Sequence, residues 1–288
     1  MKTNRNTIEL LQPSGMSTTQ FQDLQKILHL SRNHRIWSWH PLSPNPLLQL
    51  SFEDAGLSSH PQDLRQDSMI IIPPFGAALS YRKEWKNQHR TVFDLSTPEV
   101  RRAQSTLALL KFEGAELLVI GRKNDPEVQV HLIDHPRARV IENAEDAVRI
   151  PFAPAFNLIC QTSHCPQLAR HLTSVIQGRH RDSKVTFLDT SSTQDNLRRA
   201  ALQQLVHAGC RPDLLLVFGH AHSAEMLLHA ACEHRLNAMR IGHNLLPRSL
   251  PNHARIAMIA NDDVTTQECT SLISTLENIR MQNDPYAA

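Results

Sequence analysis

The chain has 288 residues, 41% apolar and 20% charged, enough for a substantial core in one large or two to three small domains. A net charge of only +2, with arginines scattered rather than clustered, argues against nucleic acid or an anionic membrane surface as partner. No apolar stretch approaches the roughly 20 residues of a membrane span, and the polar residues 1–6 show no signal-peptide pattern, so a cytoplasmic protein is expected.

Taken in chain order, short apolar runs alternate with helical patterns, which predicts an α/β fold with mainly parallel sheets. The proline-rich segment 41–46 reads as a loop or seam, followed by strands at Met69–Ile72 and 91–93. Ser96 and Thr97 then precede Pro98 and Glu99, a hydroxyl cap, a proline and an acid that together start a helix. Strands follow at Glu116–Ile120, 156–160 and 185–188, with a second proline-rich seam at 151–154. A helix over 194–207 is stopped by Gly209 and Pro212. After a strand at Leu214–Phe218 and Gly219, a helix runs through Glu225, Leu227, Leu228 and Ala231, and a last strand lies at 256–259. Most of these strands are continuous Ile/Val/Leu runs, as expected where both faces are buried. No short fixed period repeats along the chain.

Cys160, Cys165, Cys210, Cys232 and Cys269 form no C-x-x-C pair, and their odd number argues against a disulfide framework, so they are expected to be packing residues. Only 9 glycines are present, which nearly excludes glycine-rich phosphate loops, whereas 17 histidines leave room for metal or proton-transfer chemistry.

Strand-to-helix turns recur near residues 17, 45, 75, 97, 125, 162, 191, 223 and 263, and ligands bind at such turns in α/β proteins. The residues there carry a resemblance. They include Gln12-Pro13-Ser14-Gly15-Met16-Ser17, Phe93-Asp94-Leu95-Ser96-Thr97-Pro98 and Ile120-Gly121-Arg122-Lys123-Asn124-Asp125-Pro126-Glu127-Val128. Glu142 to Asp146 form an E-x-x-E-D pattern, followed by Cys160-Gln161-Thr162-Ser163, Asp189-Thr190-Ser191-Ser192-Thr193-Gln194, Val217 to Glu225 and Ile259 to Asp263. In order and spacing, from about residue 10 to 279, these resemble the motifs of the 4-hydroxy-3-methylbut-2-enyl diphosphate reductase (LytB/IspH) family. The resemblance implies three similar α/β domains with mainly parallel sheets, in pseudo-threefold arrangement around a central cavity. We place them at 1–98, 99–191 and 192–288.

In the family three cysteines hold an iron–sulfur cluster; the matching positions here are Ser17, Thr97 and Ser191. Neutral hydroxyls are hard, weak donors for iron that thiolates would hold, so the expectation is no cluster and no reductive reaction. The family's substrate-contacting histidines fall at Pro44, Phe75 and Asp125, and its serine–serine–asparagine cradle at Ser223, Ala224 and Glu225. Its last phosphate-binding serine falls at Asp263. Two carboxylates within ~5 Å of a diphosphate would each repel it by several kcal/mol at an effective dielectric near 20. Arg122 and Lys123 offer partial compensation. Glu127 matches the family's acid–base glutamate, Thr162 a threonine that assists proton delivery, and Asn45 survives beside a lost histidine. Glu127 is equally well placed as an acid in a first helical turn, and Thr162 as a turn residue.

These positions suggest an acidic, hydroxyl-lined pocket for an amine-bearing or otherwise cationic small molecule, with Glu127, Asp125 and Thr162 in proton transfer. Asn45, Thr97, Ser191, Ser223, Glu225, Asp263 and Arg122 would contact substrate. Closely spaced carboxylates raise at least one pKa, which supplies a general acid near neutral pH. A divalent metal also suits carboxylate and hydroxyl oxygens, and His220-Ala221-His222 offers two imidazoles on one face if extended. His164 is a further candidate proton carrier. Three readings compete: a redox-neutral enzyme, a non-catalytic binding or scaffold protein, and a functional reductase that would need ligands this sequence lacks. No cofactor is expected beyond that optional metal, and the composition leaves the oligomeric state open.

Overall fold

The computed structural model describes residues 7–110, 114–207, 209–220, 222–251 and 254–282, with Ser223 described in its backbone only. The first part of the chain forms β1 (Ile8–Leu10), α1 (Thr18–Leu30), β2 (Ile36–Trp37), α2 (Pro46–Asp54), β3 (Leu57–Ser58), β4 (Met69–Ile72), α3 (Leu79–Asn87) and β5 (Val92–Asp94). The middle forms α4 (Pro98–Leu110), β6 (Glu116–Ile120), α5 (Pro126–Asp134), β7 (Arg139–Ile141), α6 (Ala144–Arg149), β8 (Ala155–Cys160), α7 (Pro166–Arg179) and β9 (Lys184–Leu188). The last part forms α8 (Thr193–His207), β10 (Leu214–Phe218), α9 (His222–Glu233), β11 (Ala238–Ile241), β12 (Ile256–Ala260) and α10 (Thr266–Gln282).

The strands make three four-stranded, wholly parallel sheets in the orders β3-β2-β4-β5, β7-β6-β8-β9 and β11-β10-β12-β1. Counted along the chain, the first two sheets read second, first, third, fourth from one edge, and the last repeats this order with β10, β11 and β12 as its first three strands. The α/β class is therefore as the alternation of runs predicts. In the last sheet, however, the fourth strand is β1, with Ile8 beside Ile256 and Leu10 beside Met258. Segment 1–98 thus does not correspond to one sheet. Three residues are too short to show a strand period, which is why the sequence gives no strand there.

The chain falls into two compact units. One comprises the residues up to Lys26, Pro44–Pro46 and those from Gln194 onward, and carries the β11-β10-β12-β1 sheet. The other comprises Ile27–Ser43 and Leu47–Thr193 and carries the remaining two sheets.

Both faces of the central strands are buried. Leu216, Phe218, Met258 and Ala260 pack on one side with Leu272 and Leu276 of α10, while Leu215, Val217, Ala257 and Ile259 pack on the other with Leu202 of α8 and Leu227 of α9. In the β6–β9 sheet, Leu118, Ile120, Leu158 and Cys160 meet Leu172 and Ile176 of α7, and Val119 and Ile159 meet Leu107 and Val128. This two-sided burial is the reason these strands read as unbroken apolar runs. Cys160, Cys165 and Cys269 are buried, whereas Cys210 and Cys232 are exposed and so do not act as packing residues. No described helix is long and apolar enough to cross a membrane.

Candidate active site

The carboxyl ends of β6 and β8 bring Asp125, Glu127 and Thr162 together. Gly121 follows β6, and a Cβ there would lie 2.8 Å from Gln161 Cβ, so only glycine lets the two strand ends approach this closely. Gln161, in turn, accepts from the Arg122 backbone N–H at 3.0 Å and shapes the turn into α5. Asp125 is the N-cap of α5: its carboxylate accepts from the Glu127 N–H at 3.0 Å. Pro126 opens the helix behind it.

Glu127, only 4% exposed, is spent on Thr162. Its Oε1 accepts from the Thr162 backbone N–H at 2.8 Å and its Oε2 from the Thr162 hydroxyl at 2.6 Å. His131, one turn further along α5 and equally buried, places Nε2 3.6 Å from Glu127 Oε1. Burial, then the neighbouring Glu127 charge, push Asp125 up to about 6 against the hydrogen bonds and Arg122 charge that lower it. That carboxyl therefore exchanges its proton close to neutral pH. The Arg122 side chain is exposed. His164 donates Nδ1–H to the Cys165 carbonyl at 3.1 Å.

The carboxyl ends of β10, β11 and β12 hold a second group. Gly219 is again obligatory, since a Cβ there would lie 2.7 Å from Asn261 Cβ and 3.0 Å from Asp263 Oδ1. Asp263, 5% exposed, accepts from the His220 N–H at 2.6 Å and from Asn261 Nδ2 at 3.2 Å. Arg240 donates to the carbonyls of Gly219 and His220, both at 3.0 Å, and pairs with Glu225 at 3.4 Å. Asn45 is fully buried and donates to the Asp263 carbonyl at 3.0 Å and to Glu268 Oε1 at 2.8 Å. Glu268 also receives His243 Nε2 at 3.0 Å and the Thr265 N–H at 2.7 Å. Burial pushes the Glu268 carboxyl up, but the hydrogen bonds from Asn45, Thr265 and His243 outweigh it and hold the group below its ordinary range.

His222 faces Glu225 at 3.5 Å, while the His220 ring stacks on His243 with centroids 5.9 Å apart. Among the described residues no three His, Cys, Asp or Glu side chains gather as a metal-holding group, so His220 and His222 are not joined by a third ligand. The Ser223 side chain lies outside the described residues.

The three positions matching cluster cysteines are tied into local turns. Ser17 caps α1, accepting from the Gln20 N–H at 3.3 Å while Gln20 reaches back to the Ser17 N–H at 3.0 Å, a reciprocal capping box. Thr97, not Ser96, caps α4 by accepting from Val100 N–H at 3.3 Å, because Ser96 is taken by Arg82. Ser191 donates to Asp189 Oδ1 at 2.5 Å. Hydroxyl donors in these roles do not fit an iron–sulfur cluster, whose irons take thiolate ligands.

Sequence reasoning missed His131, Arg240, His243 and Glu268. The spacing of four between Glu127 and His131 was visible, as was the T-x-x-E capping box of Thr265 and Glu268. Nothing local in the sequence brings Arg240 to Gly219 or His243 to Glu268.

The family model described as LytB protein matches residues 21–270. A 4-hydroxy-3-methylbut-2-enyl diphosphate reductase from Desulfovibrio desulfuricans is 26% identical over 237 residues, 78% of this chain and 80% of that protein. One from Syntrophotalea carbinolica is 24% identical over 196 residues, 66% and 67% of the two chains. In three dimensions the chain resembles the E-1-hydroxy-2-methyl-but-2-enyl-4-diphosphate reductase of Plasmodium falciparum with a TM-score of 0.82 at 16% identity, over 98% of this chain and 89% of that one. With motifs, sheet architecture and family match in agreement, the chain belongs to the LytB family.

Proposed function

We propose that this chain is a cluster-free member of its family that carries out redox-neutral chemistry (elimination, hydration, isomerisation or group transfer) on a small polar substrate, with amine-bearing molecules the favoured class. One observation carries the reading. Glu127 and Thr162, read as an acid–base pair, are joined by hydrogen bonds of 2.8 and 2.6 Å, while Ser17, Thr97 and Ser191 stand where the family resemblance implies thiolates. In this reading the Thr162 hydroxyl holds a proton against the Glu127 carboxylate, and Asp125, poised at about 6, gives or takes one at neutral pH. Arg122, exposed beside this group, meets the substrate. The reaction takes place in the cytoplasm, in specialised biosynthesis.

The test is anaerobic purification, followed by incubation with iron and sulfide, elemental analysis and an optical spectrum. The expected product is colourless and binds no stoichiometric iron. A brown protein with matching iron and acid-labile sulfide would return the reductase reading. Stoichiometric magnesium, manganese or zinc would favour a metal-dependent enzyme using the acidic groups. A second reading, a ligand-binding or scaffold pseudoenzyme, is favoured by how completely Asp263, Ser17 and Thr97 are engaged in internal hydrogen bonds. Ligand binding without product formation separates it from the first.

A further inference from the structure

We propose that Asn45, Glu268 and His243 form a carboxylate-oriented histidine, a second proton-transfer centre whose working atom is His243 Nδ1. The geometry is that of a graded support. Glu268 is fixed by the Thr265 N–H on one oxygen and by Asn45 Nδ2 on the other, and Asn45 is itself anchored to the Asp263 carbonyl. An ionised carboxylate can only accept, so the His243 contact at 3.0 Å puts the proton on Nε2 and leaves the lone pair on Nδ1. The ring is clamped between Phe218, edge-on at 5.3 Å, and His220, nearly parallel at 5.9 Å, yet remains 28% exposed.

Two further observations place a ligand here. His243 follows β11, Asp263 and Glu268 follow β12, and His220 follows β10, so the group sits at the carboxyl ends of three adjacent strands, where parallel sheets bind ligands. His220 Nε2 is buried and has no hydrogen-bond partner among the described residues, which leaves an imidazole nitrogen to be satisfied by something else. Burial first, then the neighbouring His243 and Arg240, hold His220 below its ordinary range.

The ligand class is a small molecule with a hydroxyl or ammonium proton to lose, which rests on the redox-neutral reading above. Its O–H or N–H bond breaks, the Nδ1–H bond forms, and the resulting imidazolium is balanced by Glu268. No oxidant or metal enters the step.

Carbethoxylation of the full-length protein by diethyl pyrocarbonate at mildly alkaline pH, mapped histidine by histidine by peptide mass spectrometry, tests the assignment without turnover. His243 is expected to react about ten-fold faster than exposed His229, because Glu268 holds the ring's proton on Nε2 and keeps Nδ1 as the lone-pair nitrogen. Glu268→Gln keeps an acceptor for the Thr265 cap but removes the charge, and should slow His243 about five-fold while leaving His60 and His229 unchanged. Asn45→Ala, read the same way, should slow it about two-fold and covers the case in which the first variant fails to fold. A His243 rate that tracks exposure alone and is the same in both variants would overturn the proposal. Iron and sulfide in the purified protein would overturn the redox-neutral reading without moving these rates, so the two failures are distinguishable.

Discussion

The β6–β9 sheet and the β10–β12 sheet are built to one plan and have been treated differently. Each has a glycine after its first strand, Gly121 or Gly219, pressed against an amide after its third, Gln161 or Asn261. The first joins Glu127 to Thr162, the two residues for which the family resemblance implies an acid–base role. In the second, Asp263 stands where the family resemblance implies a phosphate-binding serine, and its carboxylate accepts from the His220 N–H and from Asn261 Nδ2. The difference teaches that the scaffold needs the close glycine–amide approach in both places, whereas the groups displayed beyond it can be exchanged. Asp263 is itself part of the turn it stands in, joining the residue after Gly219 to the residue after β12.

Breaking this contrast is simplest at Asp263. Asp263→Ala orphans two donors in a buried turn and should cost about 2–4 kcal/mol in urea denaturation; a loss under about 0.5 kcal/mol would mean that the turn stands without it and would favour a substrate-facing role. Thr162→Val removes a hydroxyl donating to a buried carboxylate and should cost about 1.5–3 kcal/mol, measured the same way. Equal costs at the two sites would show both ends to be equally structural.

Asp125 sharpens the comparison through pH. Its carboxyl is raised from 3.8 to about 6 on folding, so the folded state binds more protons than the unfolded between those values. Its contribution is therefore fully present below about pH 4 and is lost as pH rises through about 6. Asp125→Asn retains the cap and should be more stable than the parent by about 1–2 kcal/mol at pH 7 relative to their difference at pH 4. Parallel stability–pH curves for the two proteins would refute it. The smallest effect is expected at Ser17→Ala, where loss of the cap of α1 should cost about 1 kcal/mol. A thermal melt that leaves Ser17→Ala unshifted would argue that this position is not spent on its helix.

How much of this was legible depends on where each interaction closes. Strands buried on both faces, such as Leu214–Phe218 and Glu116–Ile120, announce themselves because every residue must be apolar. Ile36–Trp37, Leu57–Ser58 and Arg139–Ile141 do not, being too short for a period. Glu127 as an acid in a first helical turn reads directly, and the cap that Asp125 forms before it is just as local. His243 on Glu268 is a tertiary contact between two loops, and the only trace of it in the sequence is the capping box that positions Glu268. Glu225 reads as an acid available to a ligand, but its partner Arg240 comes from the next strand, and no local pattern reports that pairing.

The pairing of β1 with β12 has a kinetic side. Ile8 and Ile256 are neighbours across roughly 250 residues of chain, and closing so large a loop costs entropy that grows only with the logarithm of its length but must be met before the contact forms. During synthesis β1 leaves the ribosome well before its partner β12. Until then Ile8 and Leu10 have no sheet to join, and the edge of β12, once made, waits for a strand from the far end of the chain. The sheet that carries His243 and Glu268 is thus completed only once β12 has been made.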